Sequence, residues 1–198
     1  MITHNMSPVA PEISIVTPVY IEEGVISEFC QRILAVLSKS QKSYEIIFVD
    51  DGSRDRSLEL LRQFQEQNPQ RVKVIQLARN FGHQLAITAG IRAAQGKAVV
   101  VMDSDLQDPV EVVLQFMDQW QEGFDIVYGV RTERKGSTFF KKFTAKIFYK
   151  LLRIATNIDI PENVGDFYLL DRKVVDILNR MEERHRFIRG LVAWVGFK

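Results

Sequence analysis

The chain has 198 residues, of which 46% are hydrophobic and 26% are charged, and its net charge is +1 at pH 7. This composition excludes a disordered or fibrous chain, and the length suits one α/β domain with a substantial core. The single cysteine, Cys30, excludes an internal disulfide and fits a reducing compartment. No apolar run approaches the roughly 20 residues of a membrane-spanning helix. Residues 1–12 lack the pattern of a signal peptide and are interpreted as a flexible lead into one domain, residues 13–198.

Apolar runs alternate with amphipathic stretches along the chain, which is typical of an α/β fold with a mostly parallel sheet. Strands are predicted at residues 13–17, 44–49, 72–77, 98–102 and 125–130. Helices are predicted at residues 25–37, 55–68, 83–94 and 109–121. Beyond residue 130 the pattern predicts a basic helix at 137–154, a loop at 157–165, a short strand at 167–170 and a helix at 173–181.

Basic residues are concentrated in residues 131–153, which carry eight of them against one acidic residue. Within this segment, apolar residues recur at helical spacing beside a basic stripe. Such a helix could lie at an anionic membrane surface, or it could pack on the core with a solvated basic face. The sequence leaves both interpretations open.

Two carboxylates, Asp103 and Asp105, follow the fourth predicted strand in the motif MDSDLQDP. Residues two apart in extended chain face the same side, so this pair could ligate one hard cation, Mg²⁺ or Mn²⁺. Gln107 lies one step further along, and diphosphate oxygens could complete an octahedral shell. Capping of the next helix is the alternative; it suits Asp108 but does not account for the pair.

Two further polar motifs follow the first and second predicted strands: TPVYIEEG at residues 17–24 and FVDDGSRD at residues 48–55. Ligands of open parallel sheets bind beyond the carboxyl ends of the strands, where these motifs fall. Each motif alone also fits ordinary strand-turn-helix chemistry, although that chemistry needs only one of Asp50 and Asp51. Tyr20 could stack on a base.

Together the three motifs, in this order and at these separations, resemble the nucleotide-sugar-binding half of family 2 inverting glycosyltransferases with the GT-A fold. The segments LARNFGHQLA (77–86) and VGDFYLLDRKVV (164–175) resemble the polyprenyl-phosphate subgroup, which includes dolichol-phosphate mannose synthases and bactoprenol glucosyltransferases. The resemblance extends over residues 13–197. It implies a Rossmann-like nucleotide-sugar domain and, in relatives, a continuation into membrane helices that are absent from this chain.

The resemblance also implies roles at the matching positions. The nucleotide-sugar would be held by Pro18, Tyr20, Glu22, Asp51, Ser104 and Arg131. The metal, Mg²⁺ or Mn²⁺, would be held by Asp103, Asp105 and Gln107. Asp166 would act in catalysis, and Lys135, Lys142 and Lys146 would face the acceptor phosphate and the membrane. Tyr168 stands where similar proteins often carry arginine, which leaves one phosphate contact open.

The implied reaction is inverting transfer of a hexose, with UDP-glucose as the favoured donor, to a polyprenyl phosphate at the cytoplasmic face of the membrane. The expected partners are the donor, the lipid phosphate and the membrane surface; no nucleic acid is expected, and homo-oligomerisation is left open. The alternatives are transfer to a polysaccharide or other glycan, and a nucleotide-sugar-binding module without turnover. A dinucleotide-dependent dehydrogenase is excluded because no G-x-G-x-x-G motif follows the first strand.

Overall fold

The computed structural model describes residues 10–130, 164–183 and 186–198. These residues form one sheet with helices on both faces. The strands are β1 (Ile13–Val19), β2 (Tyr44–Asp50), β3 (Val72–Gln76), β4 (Ala98–Val101), β5 (Ile126–Val130) and β6 (Val164–Asp171). The helices are α1 (Ile26–Leu37), α2 (Ser57–Gln67), α3 (His83–Ala93), α4 (Val112–Gln121), α5 (Arg172–Arg180) and α6 (Ile188–Trp194).

The sheet has the strand order β3-β2-β1-β4-β6-β5. β1 pairs in parallel with β2 and β4, and β2 pairs in parallel with β3. β6 is antiparallel to both of its neighbours, β4 and β5. The prediction of an α/β fold with a mostly parallel sheet is therefore confirmed.

The hydrophobic core lies in two layers, one on each face of the sheet. Ile15 of β1 belongs to the layer that α1 and α4 cover, and its neighbour Val16 belongs to the layer that α3, α5 and α6 cover. Every residue of β1 and β2 is buried, because successive side chains enter opposite layers. A strand covered on both faces is a continuous apolar run, which is why these strands could be recognised in the sequence.

Two predicted boundaries near the site are wrong. The loop predicted up to residue 165 ends earlier, because Val164 already pairs with Val130 and the strand continues to Asp171. Glycine and aspartate have low strand propensity, but pairing with β4 and β5 overrides it. The helix predicted from Pro109 begins at Val112, after a turn.

Two predictions lie outside the described residues: the basic helix at 137–154 and most of the N-terminal lead. Within the described part of the chain, no helix is both long enough and apolar enough to cross a bilayer. The carboxyl ends of β1, β2 and β4 meet at one edge of the sheet, as the parallel pairing requires. The three polar motifs are therefore brought together at that edge.

Candidate active site

A cavity of about 320 Å³ opens at the carboxyl edge of the parallel strands. Seven of the residues singled out in the sequence line it: Pro18, Tyr20, Glu22, Asp51, Asp103, Ser104 and Asp105. Asn80 and His83, which follow β3, line it as well. The structure thus brings the three motifs into one concave site.

The loop after β1 forms one wall of this cavity. The backbone N–H of Ile21 donates to Ser53 Oγ at 3.1 Å, and the N–H of Glu22 donates to Ser57 Oγ at 2.8 Å. These bonds fix the loop to the segment between β2 and α2 and leave the ring of Tyr20 43% exposed beside the cavity. The pKa of Glu22 is raised, first by burial and then by the negative charges of Asp105 and Asp55.

Asp51 holds the opposite wall in place. Its carboxylate accepts hydrogen bonds from the backbone N–H groups of Phe81 at 2.7 Å and Gly82 at 2.9 Å. The neighbouring Gly52 has a φ of 74°, and a Cβ atom there would lie 2.6 Å from the backbone of Arg79. Asp51 therefore fixes the turn from β3 to α3, and since each carboxylate oxygen can accept more than one bond, it can still contact a ligand.

Asp103 and Asp105 lie in the turn after β4, which ends at Val101. Both aspartates line the cavity. The chain bends at residues 104–106, so the segment is not the extended strand assumed from the sequence. The pKa of Asp103 is raised to about 6, mainly by burial and also by the charge of Asp105, against the opposing effect of His83.

This donor set fits a hard divalent cation. Two carboxylates that face one cavity supply the oxygen ligands that such a cation prefers. Among the described residues, no group of three or more histidine, cysteine or acidic side chains forms a metal site by itself. Water and ligand oxygens would have to complete the shell. Gln107 is exposed, and the contact it makes with Asp105 is through its backbone N–H, at 3.0 Å.

Asp166 lies on β6, although the sequence places it in a loop. Its Oδ2 atom lies 3.0 Å from both His83 Nε2 and Gln84 Nε2, and its Oδ1 atom is buried and has no hydrogen-bond partner among the described residues. Burial alone would raise the pKa of Asp166, but the hydrogen bond with His83 and the charge of Arg189 lower it below the usual value. The carboxylate is therefore held ionised.

His83 connects Asp166 to the carboxylate pair. Its Nε2 atom lies 3.6 Å from Asp103 Oδ1, in addition to the contact with Asp166. The hydrogen bond with Asp166 is the main cause of the raised pKa of His83. Asp103, in the turn after β4, and Asp166, on β6, thus face the same imidazole.

Sequence reasoning missed three residues that position Asp166. His83 and Gln84 follow β3 at the same edge as the other polar clusters, and that place in the chain could have identified them. Gln84 also accepts a hydrogen bond from the N–H of Ile188 at 2.9 Å, which joins Asp166 to the start of α6. Arg189 donates to the carbonyl oxygen of Val164, and no sequence signal connects it with β6.

Tyr168, the position at which the sequence leaves a phosphate contact open, does not line the cavity. It is fully buried in the core layer that α3 and α5 cover, and its ring centroid lies 6.3 Å from that of Tyr128. Its hydroxyl has no hydrogen-bond partner among the residues that the structure describes. Four predicted basic residues lie outside the described part of the chain: Arg131, Lys135, Lys142 and Lys146.

Comparison with known proteins gives the family. The sequence model of glycosyl transferase family 2 matches residues 14–178. The chain belongs to that family. The match includes the carboxylate pair and Asp166, so the cavity lies in the part of the chain that the family model covers.

Two relatives show how far the similarity extends. An uncharacterised glycosyltransferase of Bacillus subtilis is 57% identical over 185 residues, covering 93% of this chain and 57% of the relative. The bactoprenol glucosyl transferase of Shigella phage SfV is 37% identical over 185 residues, covering 93% of this chain and 60% of the relative. The chain therefore spans less than two thirds of the length of either protein.

A solved structure supports the fold. The mannosyltransferase PcManGT from Pyrobaculum calidifontis, in complex with GDP-Man and Mn²⁺, aligns with a TM-score of 0.58 at 21% identity, covering 86% of this chain and 47% of the other. The GT-A fold expected from the sequence is confirmed. The bound GDP-Man and Mn²⁺ are properties of that protein.

Proposed function

We propose that this family 2 domain transfers a hexose from a nucleotide-diphosphate sugar to a polyprenyl phosphate, with Mg²⁺ or Mn²⁺ as cofactor. The observation that carries the proposal is the convergence of the pair Asp103 and Asp105 with Asp166 around His83. The pair could hold the divalent cation that binds the diphosphate of a donor, and Asp166 could act on the acceptor side. The similarity to a bactoprenol glucosyl transferase supports a lipid acceptor and glucose as the sugar.

The donor would occupy the cavity between the β1 and β3 loops. Asp103 and Asp105 would hold the divalent cation, which would neutralise the charge of the departing diphosphate. Pro18, Tyr20 and Asp51 line the part of the cavity nearest β1 and β2, where a nucleoside would fit. The Mn²⁺ and nucleotide-sugar bound by the structural neighbour support this arrangement. We take UDP-glucose as the donor.

The reaction would be a single displacement with inversion. An oxygen of the acceptor attacks the anomeric carbon while the bond from that carbon to the diphosphate breaks, and the electron pair leaves with the nucleoside diphosphate. A phosphate monoester has a second pKa of about 6 and is largely dianionic at neutral pH, so little proton removal is needed. Asp166 would therefore act chiefly by holding His83 and Gln84, which contact its Oδ2 atom, in place beside the acceptor.

The acceptor determines where the reaction takes place. A polyprenyl phosphate is embedded in a membrane, so we place the domain at its cytoplasmic face. The basic residues of 131–153 would supply cations for the acceptor phosphate and for anionic lipid headgroups. Liposome co-sedimentation should then depend on anionic lipid.

A transfer assay with labelled UDP-glucose tests the proposal. We expect label in polyprenyl phosphate, none in an oligosaccharide, and loss of transfer in Asp166→Asn. Asp118→Asn, on the exposed side of α4, is the matched control and should transfer normally. Transfer to the oligosaccharide alone would indicate a glycan acceptor, and donor binding without any transfer would indicate a binding module; either result would overturn the proposal.

A further inference from the structure

An apolar groove of about 450 Å³ lies beside the candidate active site. We define it by Phe81, Leu85, Arg186 and Phe187, together with His83 and Gln84 at its inner end. The three apolar side chains are exposed by 42%, 40% and 41% for Phe81, Leu85 and Phe187. Large apolar side chains clustered at a surface often mark a binding site.

The charged member of the groove offers no charge to a ligand. The guanidinium of Arg186 donates to the carbonyl oxygens of Leu178, Met181 and Glu183, and the residue is only 7% exposed. The other members away from the inner end are apolar. A sugar or a polar peptide would find few hydrogen-bond partners there, whereas a hydrocarbon chain would be well accommodated.

The inner end of the groove is polar and meets the candidate active site. His83 lines both the groove and the donor cavity, and both His83 and Gln84 contact Asp166. Arg189, whose guanidinium carbon lies 5.4 Å from the ring centroid of Phe187, adds a positive charge near Asp166. An amphiphile would therefore match the groove in polarity, and its anionic head could pair with Arg189 beside the ionised carboxylate of Asp166.

We propose that the groove binds the first isoprene units of the lipid acceptor and directs its phosphate to the inner end, beside His83 and Asp166. The proposal rests on the proposed function and adds the location of the acceptor. If a donor occupies the first cavity, this groove is the space beside it. From there an acceptor oxygen could approach His83, where Asp103 and Asp166 meet. Its volume lies in the usual range for small-ligand sites.

Calorimetry with two soluble isoprenoid phosphates tests the groove. We expect farnesyl phosphate to bind this chain at least about tenfold more tightly than dimethylallyl phosphate, the effect of burying about two methylene groups. Leu85→Ser and Phe187→Ser should each remove most of that difference, because they weaken farnesyl phosphate binding much more than dimethylallyl phosphate binding. Ile177→Ser, an apolar residue of similar exposure on α5, is the control and should bind both ligands as the unsubstituted chain does.

Three outcomes would overturn the groove as a lipid site. First, farnesyl phosphate and dimethylallyl phosphate could bind equally tightly, or neither could bind. Second, the control Ile177→Ser could lose as much farnesyl phosphate affinity as Leu85→Ser and Phe187→Ser. Leu85→Ser could instead change the sedimentation mass and leave farnesyl phosphate affinity unchanged, which would indicate an interface between copies of the chain. The transfer assay separates this failure from that of the proposed function: transfer to polyprenyl phosphate that Leu85→Ser leaves intact would reject the groove alone.

Discussion

Carboxylates lie at both ends of the same sheet, and they differ in how their charge is balanced. At the amino end of the strands, Glu45 is 4% exposed and accepts hydrogen bonds from Ser14 Oγ at 2.6 Å and the N–H of Gln95 at 2.7 Å. Lys73 Nζ lies 2.7 Å from its other oxygen. Burial would raise the pKa of Glu45, but the bonds from Lys73, Ser14 and Gln95 outweigh it and lower the pKa.

At the carboxyl end, the described residues offer Asp103 no comparable set of donors, and its side chain is 30% exposed. Its pKa is raised to about 6, mainly by burial and also by the charge of Asp105. Burial alone therefore does not identify a functional carboxylate. A carboxylate satisfied by its own chain stabilises the fold, whereas one left unbalanced at the carboxyl ends of parallel strands is available to a cation from outside.

The largest expected effect is on turnover, from a substitution at Asp166 in the candidate active site. Asp166→Asn should lower turnover by about 10²- to 10⁴-fold, because an orienting or general-base carboxylate contributes that much to rate. We expect the lower end for a lipid phosphate, which needs little proton removal, and nearly unchanged UDP-glucose affinity. Steady-state kinetics together with the melting temperature are the measurement. Turnover lost only in proportion to donor affinity would remove Asp166 from the reaction.

A substitution at Glu45, at the other end of the sheet, should change stability alone. Glu45→Leu removes the partner of Ser14, Lys73 and the Gln95 N–H, and we expect the free energy of unfolding to fall by about 2–4 kcal/mol. Because the folded-state pKa of Glu45 is lowered, its contribution is present above its usual value of 4.5 and is lost as pH falls through the folded-state pKa. Urea unfolding at pH 7 is the test. The exposed Glu66→Leu on α2 is the control and should change stability by no more than about 0.5 kcal/mol.

At Asp103 we expect a substitution to raise the free energy of unfolding, opposite to the effect at Glu45. In the absence of divalent metal at pH 8, Asp103→Asn should raise the free energy of unfolding by about 1–2 kcal/mol, because a tenfold change in proton affinity is worth about 1.4 kcal/mol and solvent screens part of the charge. The folded-state pKa of about 6 exceeds the ordinary 3.8, so the wild-type penalty is absent below the lower value and complete above the higher one. The gain should therefore grow from pH 5 to pH 8. A variant less stable than wild type at pH 8 would mean that the chain already balances this charge.

A smaller effect is expected at Gln84, which positions Asp166. Gln84→Leu removes the hydrogen bond to Asp166 and the acceptor for the Ile188 N–H, and we expect roughly tenfold lower turnover at unchanged donor affinity, the loss of about one positioning hydrogen bond. Gln84→Glu keeps the acceptor for Ile188 but places a carboxylate against Asp166. If both variants turned over at the wild-type rate, Gln84 would serve only to join α3 to α6.

Much of the sheet could be predicted from the sequence, because β1, β2 and β4 are apolar runs closed by polar or proline-containing turns. The insertion of β6 between β4 and β5 could not be predicted. It depends on antiparallel pairing of Leu169 with both Val100 and Val127, residues far apart in the chain. Local propensity at Gly165 and Asp166 indicates a loop, and only the tertiary pairing makes them part of a strand.

For the site, residue types following each strand were sufficient to predict the carboxylate pair and the cavity wall. The contact of His83 with Asp166 spans 83 residues and depends on where β6 lies in the sheet. The bonds from Asp51 to the turn before α3 are likewise set by the tertiary structure. Sequence motifs therefore predicted residues that line the cavity, and the fold was needed to show which side chains hold them in place.

The central claim is that Asp103 and Asp105 bind a divalent cation together with a diphosphate, and calorimetry of UDP binding tests it most directly. With this chain we predict at least about tenfold tighter UDP binding in Mn²⁺ than in a metal chelator, since the cation would bridge the diphosphate and the carboxylates. Asp105→Asn should lose that difference, while the control Asp118→Asn keeps it. UDP binding that is equally tight without metal, or a metal effect that survives in Asp105→Asn, would contradict the account.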